Sequence, residues 1–564
     1  MPKKRSTRPA PGHSRKPSAP RNPVTGRVVQ KPGTRPQPPE MDSGSDRTEW
    51  HSYLRFRVNQ VTRNIRLSGD DASVIERLKD IIAVAERSNE RVRIVGSGHS
   101  FSDVLSCPDV LVSLGGPMFE DPGLNYIQPI SREDRERRFR GGAVNNEHLV
   151  SVGAGALIKN LNSRLESLGL ALINMGTFNG QTLMGAASTS THGSGVGLPP
   201  FPDIIRSLVL VATSEEGPRV YRIEPADGPT NPASFREHLV DELIQDDDVF
   251  YSAIVSMGCM GIVVSAVIEV MDMYWLRETT SVGFWDEARD QYFGGSAPLG
   301  IHALLRSARH VEFVVAPHRD HGVEFSKNRI QYMLVKREIT PSRVRKGCQK
   351  NCFGWLVETI IDRDYAKVYD MPYDGDAPGC GKPKGNAFPS MFNALDNGEF
   401  VAPYYDVFAQ GGYDIGGYAI EASAPIDIAG NVMDVIIDEA EKNRERGHPH
   451  TGPIGVRFVK ASNAYLSPHF GRDSATFEVT MLRGSEGGRE ALAAVEKRLA
   501  KWREVRLHWG LQMAVVGNDR GQLTSHYPRW DRWRSTYERF NRTGVFDNAL
   551  TDRLGISMRR RSSS

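Results

Sequence analysis

The stretch IVGSGHSFSD, residues 94–103, decides the fold. With the preceding RVR it forms a short β-rich run that stops at Gly96. Ahead of it, ASVIERLKDIIAVAERS (residues 72–88) places Val74, Leu78, Ile81, Ile82 and Ala85 at helical spacing on one face. The order is therefore helix, strand, glycine turn. Two glycines directly after a strand expose successive backbone N–H groups, and such a nest suits a pyrophosphate. The dinucleotide fingerprint is absent, because its third glycine is missing and no helix of the right texture follows.

Two more glycine-rich segments lie downstream. GTFNGQTLMGAASTSTHGSGVG (176–197) offers small side chains and hydroxyls, so a backbone there can approach a flat ligand closely. SMGCMGIVVSAV (256–267) is a glycine pair leading into a strand. Between them, DVLVSL (109–114), LVLVAT (208–213) and IVVSAVIEV (262–270) read as strands, and residues 157–169 as a helix ending at Gly169. From about residue 271 strand-like runs recur: VEFVVA, IQYMLVKR, GYAIEASAP, GVRFVKAS and ATFEVTML. Helical stretches at 427–446 and 486–503 separate some of them, which predicts a second α+β region with a mostly antiparallel sheet.

Composition bounds the rest. The chain has 564 residues, 39% hydrophobic and 25% charged, enough to bury a sizeable core. No run reaches the ~18 or more apolar residues of a membrane helix. Five cysteines exclude a disulfide scaffold. Cys348, Cys352 and Cys380 lack the partners a metal site needs, so no metal is expected. Residues 1–39 hold ten Lys or Arg, ten Pro and no acid, and without them the net charge of +3 becomes −7. That composition reads as a disordered basic tail over residues 1–49. The tail has no aromatic interleaving, so nucleic acid is not expected as a partner. No apolar stretch of a secretory signal is visible, and a cytoplasmic location is expected.

Taken together and in order, GSGHSFSD, GTFNGQTLMGAASTSTHGSG and GCMGIVVSAV resemble the flavin domain of the vanillyl-alcohol-oxidase superfamily. LHWG (507–510), YPRW (527–530) and TGVFDN (543–548), with VEFVVAPHRD, AIEASAP and VRFVKASNAYLSP, are similar to its aldonolactone and alditol oxidase branch. The resemblance runs from about residue 50 to 556 and omits the tail and an insertion near 340–400. It implies an α+β fold. A two-subdomain FAD-binding domain of the PCMH type would span 50–270, and a cap or substrate domain 271–500. A C-terminal segment, 501–556, would complete the active site before a frayed end at 557–564.

The resemblance also implies FAD, bonded covalently through His99. Diphosphate contacts carry over to Ile94, Val95, Gly96, Ser97, Gly98, His99 and Ser100. Further flavin contacts carry over to Thr177, Thr182, Gly185, Thr189, Ser190, Thr191, His192 and Ile262. The expected activity is oxidation of a CH–OH group of a small alcohol or lactone, with O2 as acceptor giving H2O2. A dehydrogenase using another acceptor, or a flavin-binding protein with altered catalysis, are the alternatives.

The substrate side departs from the family. Its Glu-x-Arg strand motif is here Gly455-Val456-Arg457, and the Lys that follows HWG is Leu511. A position often held by His in alditol oxidases is Glu478, with Thr480 two residues on and so on the same strand face. Arg457 is the expected cation for the charge that develops on oxidation. Glu478, His508 and Glu421 are the candidate proton acceptors. Gly455, Thr480 and Leu511 are expected to meet substrate, and their chemistry points away from simple polyols and sugar lactones.

Overall fold

The computed structural model describes residues 48–51, 58–115, 124–139, 148–294, 300–319, 328–347, 396–408, 417–482, 484–514 and 524–559, plus two short strands, Pro372–Tyr373 and Gly385–Asn386. The basic tail up to residue 47 and the three cysteines of the insertion lie outside the described residues.

The flavin-type half is built on two main sheets. The smaller is parallel and three-stranded: β1 (Arg63–Arg66), β2 (Val92–Val95) and β3 (Val110–Ser113), with β3 in the middle. Helix α1 (Asp71–Arg87) connects β1 to β2, and Asp70 caps it by accepting the Ser73 N–H at 2.8 Å. Its buried face is Val74, Ile75, Leu78, Ile82 and Ala85. The stripe is centred on Leu78 and Ile82, which leaves Ile81, expected inside, half-buried at its edge.

The larger sheet has six strands. They are β4 (Ile127–Pro129), β5 (Leu149–Gly153), β6 (Ile205–Ala212), β7 (Arg219–Glu224), β8 (Glu242–Gln245) and β9 (Ile262–Glu269), in the order β8-β7-β6-β9-β5-β4. Helices α2 (Ile158–Ser167) and α3 (Leu183–Ser188) lie between β5 and β6 in the chain. The predicted strands at 208–213 and 262–270 are β6 and β9.

The third sheet has eight strands, all antiparallel. They are β10 (Trp275–Phe284), β11 (His310–Val315), β12 (Gln331–Thr340), β13 (Glu399–Pro403), β14 (Gly417–Pro425), β15 (Ile454–Val459), β16 (Ser474–Leu482) and β17 (Arg506–Leu507). Their order is β13-β10-β12-β11-β15-β16-β14-β17. Helices α4 (Ala429–Glu445) and α5 (Gly488–Leu499) follow β14 and β16. The antiparallel sheet expected after residue 271 is this one.

The C-terminal segment returns to the first sheet. The Val92 N–H donates to Val545 O at 2.7 Å, which ties β2 to the TGVFDN turn. Arg91 forms a two-point pair with Asp552 at 2.6 and 2.9 Å, and Arg553 grips Asp103 at 2.8 Å. Among the described residues no helix is long and apolar enough to cross a membrane.

Candidate active site

The three glycine-rich segments meet in one cleft with an empty volume of about 1050 Å³. Ile94 to Ser100 form one wall, and Thr182, Gly185, Thr189 and Thr191 another. Gly258, Gly261 and Val263 close a third side, and His508, Gly510 and Leu511 a fourth. Four expected contacts stand back from this wall: Thr177, Ser190, His192 and Ile262. Ser190 is fully buried and its hydroxyl meets Ser467 at 2.8 Å, while Ile262 is a core residue between the lining Gly261 and Val263.

The turn after β2 is shaped for close approach. Gly98 has a φ of +67°, the left-handed region in which glycine is unstrained. A Cβ on Gly96 would lie 2.3 Å from Thr182 Oγ1. That hydroxyl caps α3 by accepting the Gly185 N–H at 3.2 Å, so the two cofactor loops are in contact through Gly96. We expect Gly96→Ala to push Thr182 aside and cost about 1–3 kcal/mol by overpacking. Purified Gly96→Ala should carry less flavin per protein and melt earlier. Full flavin content with an unchanged melting point would refute this account.

His99 lines the cleft with its ring stacked on Phe178, 3.9 Å between centroids and 14° between planes. The HWG segment locks this loop from behind: the Phe101 N–H donates to Gly510 O at 2.6 Å, and the Ser102 hydroxyl to Trp509 O at 2.7 Å. Arg93 also lines the cleft, and sequence reasoning missed it. It is buried, its Nε and Nη1 find no oxygen partner, and burial pulls its pKa below the usual arginine value against the opposing pull of the Cys259 and Cys107 thiols. A buried cation facing a cleft without a counter-charge fits a ligand that carries phosphate. The signal was in RVRIV, where the alternation buries a second arginine beside the turn.

On the eight-stranded sheet the expected catalytic residues fall on one face. Gly455, Glu478 and Glu421 lie directly opposite one another across β15, β16 and β14. The His508 N–H donates to Glu421 O at 3.0 Å and extends the row. One step along, Glu312, Arg457 and Thr476 form a second row on β11, β15 and β16. Directly opposite residues share a face, so both rows present together. Ile454, Val456 and Phe458, which alternate with them, are fully buried on the other side.

Each member is placed differently. Arg457 Nε donates to Glu312 at 3.0 Å and Nη1 to Glu478 at 3.1 Å. These carboxylates overcome the cost of burial and hold the guanidinium charged. Glu312 in turn accepts from Arg337 at 3.0 Å, and Arg337 donates to Glu278 at 2.8 Å. A buried chain of alternating charge, Glu278–Arg337–Glu312–Arg457–Glu478, thus crosses five strands. Glu312 and Arg337 were not foreseen, because the apolar run VEFVVA and the strand IQYMLVKR gave no sign that their charges point inward together.

Glu421 is committed to His192, whose Nε2 lies 3.0 Å from its carboxylate. His192 Nδ1 faces Gly193 O at 2.8 Å. With acceptors at both nitrogens the ring is a buried imidazolium. Burial alone would lower its pKa, but Glu421 raises it. The same pairing holds the Glu421 carboxyl far below its usual range despite burial. His508 is the opposite case. Burial pushes its pKa down to about 4, and its Nδ1 accepts the Gly510 N–H at 3.1 Å. The neutral ring therefore carries its proton on Nε2 and offers the cleft a donor, not an acceptor. Thr480 donates to Pro453 O at 3.1 Å.

Comparison with known proteins agrees with this geometry. A family model described as an FAD binding domain matches residues 72–216, and one described as D-arabinono-1,4-lactone oxidase matches residues 300–554. The chain is an FAD-linked oxidoreductase, and its second half is similar to D-arabinono-1,4-lactone oxidase. It acts on a CH–OH group, and FAD is its cofactor. L-gulono-1,4-lactone dehydrogenase of Mycobacterium tuberculosis is 26% identical over 85% of this chain and 93% of its own. L-gulonolactone oxidase of Scyliorhinus torazame is 23% identical over 85% and 92%. In fold, this FAD-linked chain resembles cholesterol oxidase from B. sterolicum, with a TM-score of 0.64 at 13% identity, covering 93% of this chain and 99% of that one.

Proposed function

We propose that the protein oxidises the hydroxyl carbon of a small hydroxylated lactone or ring alcohol, with FAD held covalently through His99 and O2 as acceptor, giving H2O2. The observation that carries this reading is the wall where the His508 ring and the apolar Leu511 both line the cofactor cleft. A ring with one polar and one apolar edge suits that wall better than an unbranched polyol, whose hydroxyls would meet Leu511 unpaired. The relatives named for gulonolactone and arabinonolactone support the lactone class, against the expectation that Gly455, Thr480 and Leu511 point away from sugar lactones.

FAD, when bound, supplies the hydride acceptor. Gly96 to Ser100 offer backbone N–H groups to its diphosphate, and Arg93 adds a cation. Phe178 fixes the plane of the His99 ring, which suits a single covalent bond from one ring nitrogen. Arg457 is positioned by two carboxylates, so its charge needs no reorganisation when negative charge develops beside it.

After acid precipitation the yellow colour should stay with the polypeptide, and in His99→Ala it should pass to the supernatant. Flavin that leaves the unaltered protein on precipitation would sink the covalent bond. For substrate, O2 uptake and peroxide release would be compared for xylitol, L-gulono-1,4-lactone, benzyl alcohol and cholesterol. Xylitol as the best of the four would overturn the ring assignment. Dye reduction that far outruns O2 uptake would favour the dehydrogenase reading, which the Mycobacterium relative's name supports.

A further inference from the structure

The two rows on the eight-stranded sheet enclose a gap. An ideal Cβ on Gly455 would have nothing nearer than Glu478 Cβ at 3.9 Å and Arg457 Nη2 at 4.0 Å. The absent side chain thus leaves room for a small group between a guanidinium and a carboxylate. Both borders have capacity to spare. Arg457 spends Nε on Glu312 and Nη1 on Glu478, so its Nη2 is outside both of these bonds. Glu478 accepts from Arg457 through Oε2, so its Oε1 is outside that bond. A hydroxyl needs one acceptor for its proton and one donor for its oxygen, and this gap supplies one of each.

We propose that the gap over Gly455 is the seat of the substrate hydroxyl, and that Glu478 is the group that takes its proton. This assignment rests on the functional reading above. In the reaction the O–H bond breaks and its proton passes to Glu478 Oε1. The C–H bond on the same carbon breaks, its electron pair leaves with the hydrogen to the FAD of the family's activity, and a C=O bond forms. Arg457 Nη2 holds the oxygen while it carries negative charge.

Charge counting along the sheet supports the choice of Glu478. The chain from Glu278 to Glu478 has three carboxylates and two guanidiniums, so one negative charge is uncompensated. Glu312 is shared by two arginines and Glu278 is held by Arg337 at full burial. Glu478 is the end member paired with Arg457, and its side chain is still 28% exposed. Glu421 and His192 close on each other and add no net charge. Burial raises the Glu478 pKa. Arg457 and His192 oppose the rise, Glu421 and Glu312 add to it, and the net direction is upward. A base with a raised pKa is better matched to a proton from an alcohol than an ordinary carboxylate.

The sign of the pH dependence follows. Glu478 works in its deprotonated form, so flavin reduction should rise with pH through a value above the ordinary glutamate pKa and then level. The test is stopped-flow flavin reduction between pH 5 and 9 in the FAD-loaded enzyme, with whichever of the four compounds above reduces it fastest. Glu478→Gln keeps the shape and a bond to Arg457 but cannot take the proton. It should retain FAD and substrate affinity, slow reduction by about 10²–10⁴-fold and lose the rising limb. Reduction by Glu478→Gln within threefold of the unaltered enzyme overturns the assignment. If Glu478→Gln does not fold, the unaltered enzyme still decides, because a profile extended down to pH 4 that stays flat from pH 4 to 9 also overturns it. If none of the four compounds reduces the flavin, the functional reading fails and this assignment with it.

Discussion

Arg457→Met should leave FAD in place and slow flavin reduction by about 10²–10³-fold, the usual effect of removing one preorganised group that meets developing charge. The substitution keeps most of the side-chain volume and removes only the guanidinium. Substrate binding should weaken less than the chemical step, because the alkoxide forms only as the reaction proceeds. The variant should also be less stable, since Glu312 and Glu478 each lose a partner inside the protein. Arg457→Lys should not restore the rate, because an ammonium cannot reach Glu312, Glu478 and the gap at once. Stopped-flow traces of both variants, with a denaturation curve for each, provide the check. Equal reduction rates in Arg457→Met and the unaltered enzyme would show that another group meets the charge.

The largest stability effect belongs to Arg337. Its side chain is fully buried, and it links Glu278, 1% exposed, to Glu312, 4% exposed. Arg337→Met should cost about 3–5 kcal/mol, because it takes a buried cation away from Glu278 and leaves Glu312 with Arg457 as its guanidinium partner. The triple variant Arg337→Met, Glu278→Gln, Glu312→Gln should recover part of that loss, since the excess buried negative charge is gone. Denaturant midpoints at neutral pH would measure both. If Arg337→Met unfolds at the midpoint of the unaltered protein, the charged chain contributes no net stability. The triple variant should still reduce flavin slowly, because Glu312→Gln replaces the charged partner that aims Arg457 with a neutral amide.

The flavin half was legible in the sequence because its information is local. A strand, a glycine turn and a capped helix each announce themselves within ten or so residues, and IVGSGHSFSD carries all the backbone geometry that its turn needs. Strand β10 is harder to see. In WLRETTSVGF the core-facing positions include Glu278 and Thr280, and a period-two reading of polarity passes over such a strand. The substrate side was legible in residues but not in roles. Glu478, Glu421 and His508 look interchangeable as proton acceptors along the chain. Their difference is set by neighbours far away in sequence: His192 for Glu421, the Gly510 N–H for His508, and the empty position at Gly455 for Glu478. Arg93 and Arg337 were missed for the same reason, since a strand pattern does not say which buried cation faces a cleft and which is held by two carboxylates.

The tie between Val92 and Val545 has a consequence for how the molecule is made. Strand β2, which feeds the flavin loop, gains its edge bond and its Arg91–Asp552 clasp from residues 453 and 461 positions further along. At ~5–20 residues per second, a ribosome reaches them roughly 25–90 seconds after it has finished β2. During that time the nascent loop has its glycines but not its clasp, and the HWG segment that backs His99 is also still to come. Cofactor loading is therefore a step after synthesis. A chain halted before residue 540 would leave the ribosome with its flavin loop unfinished.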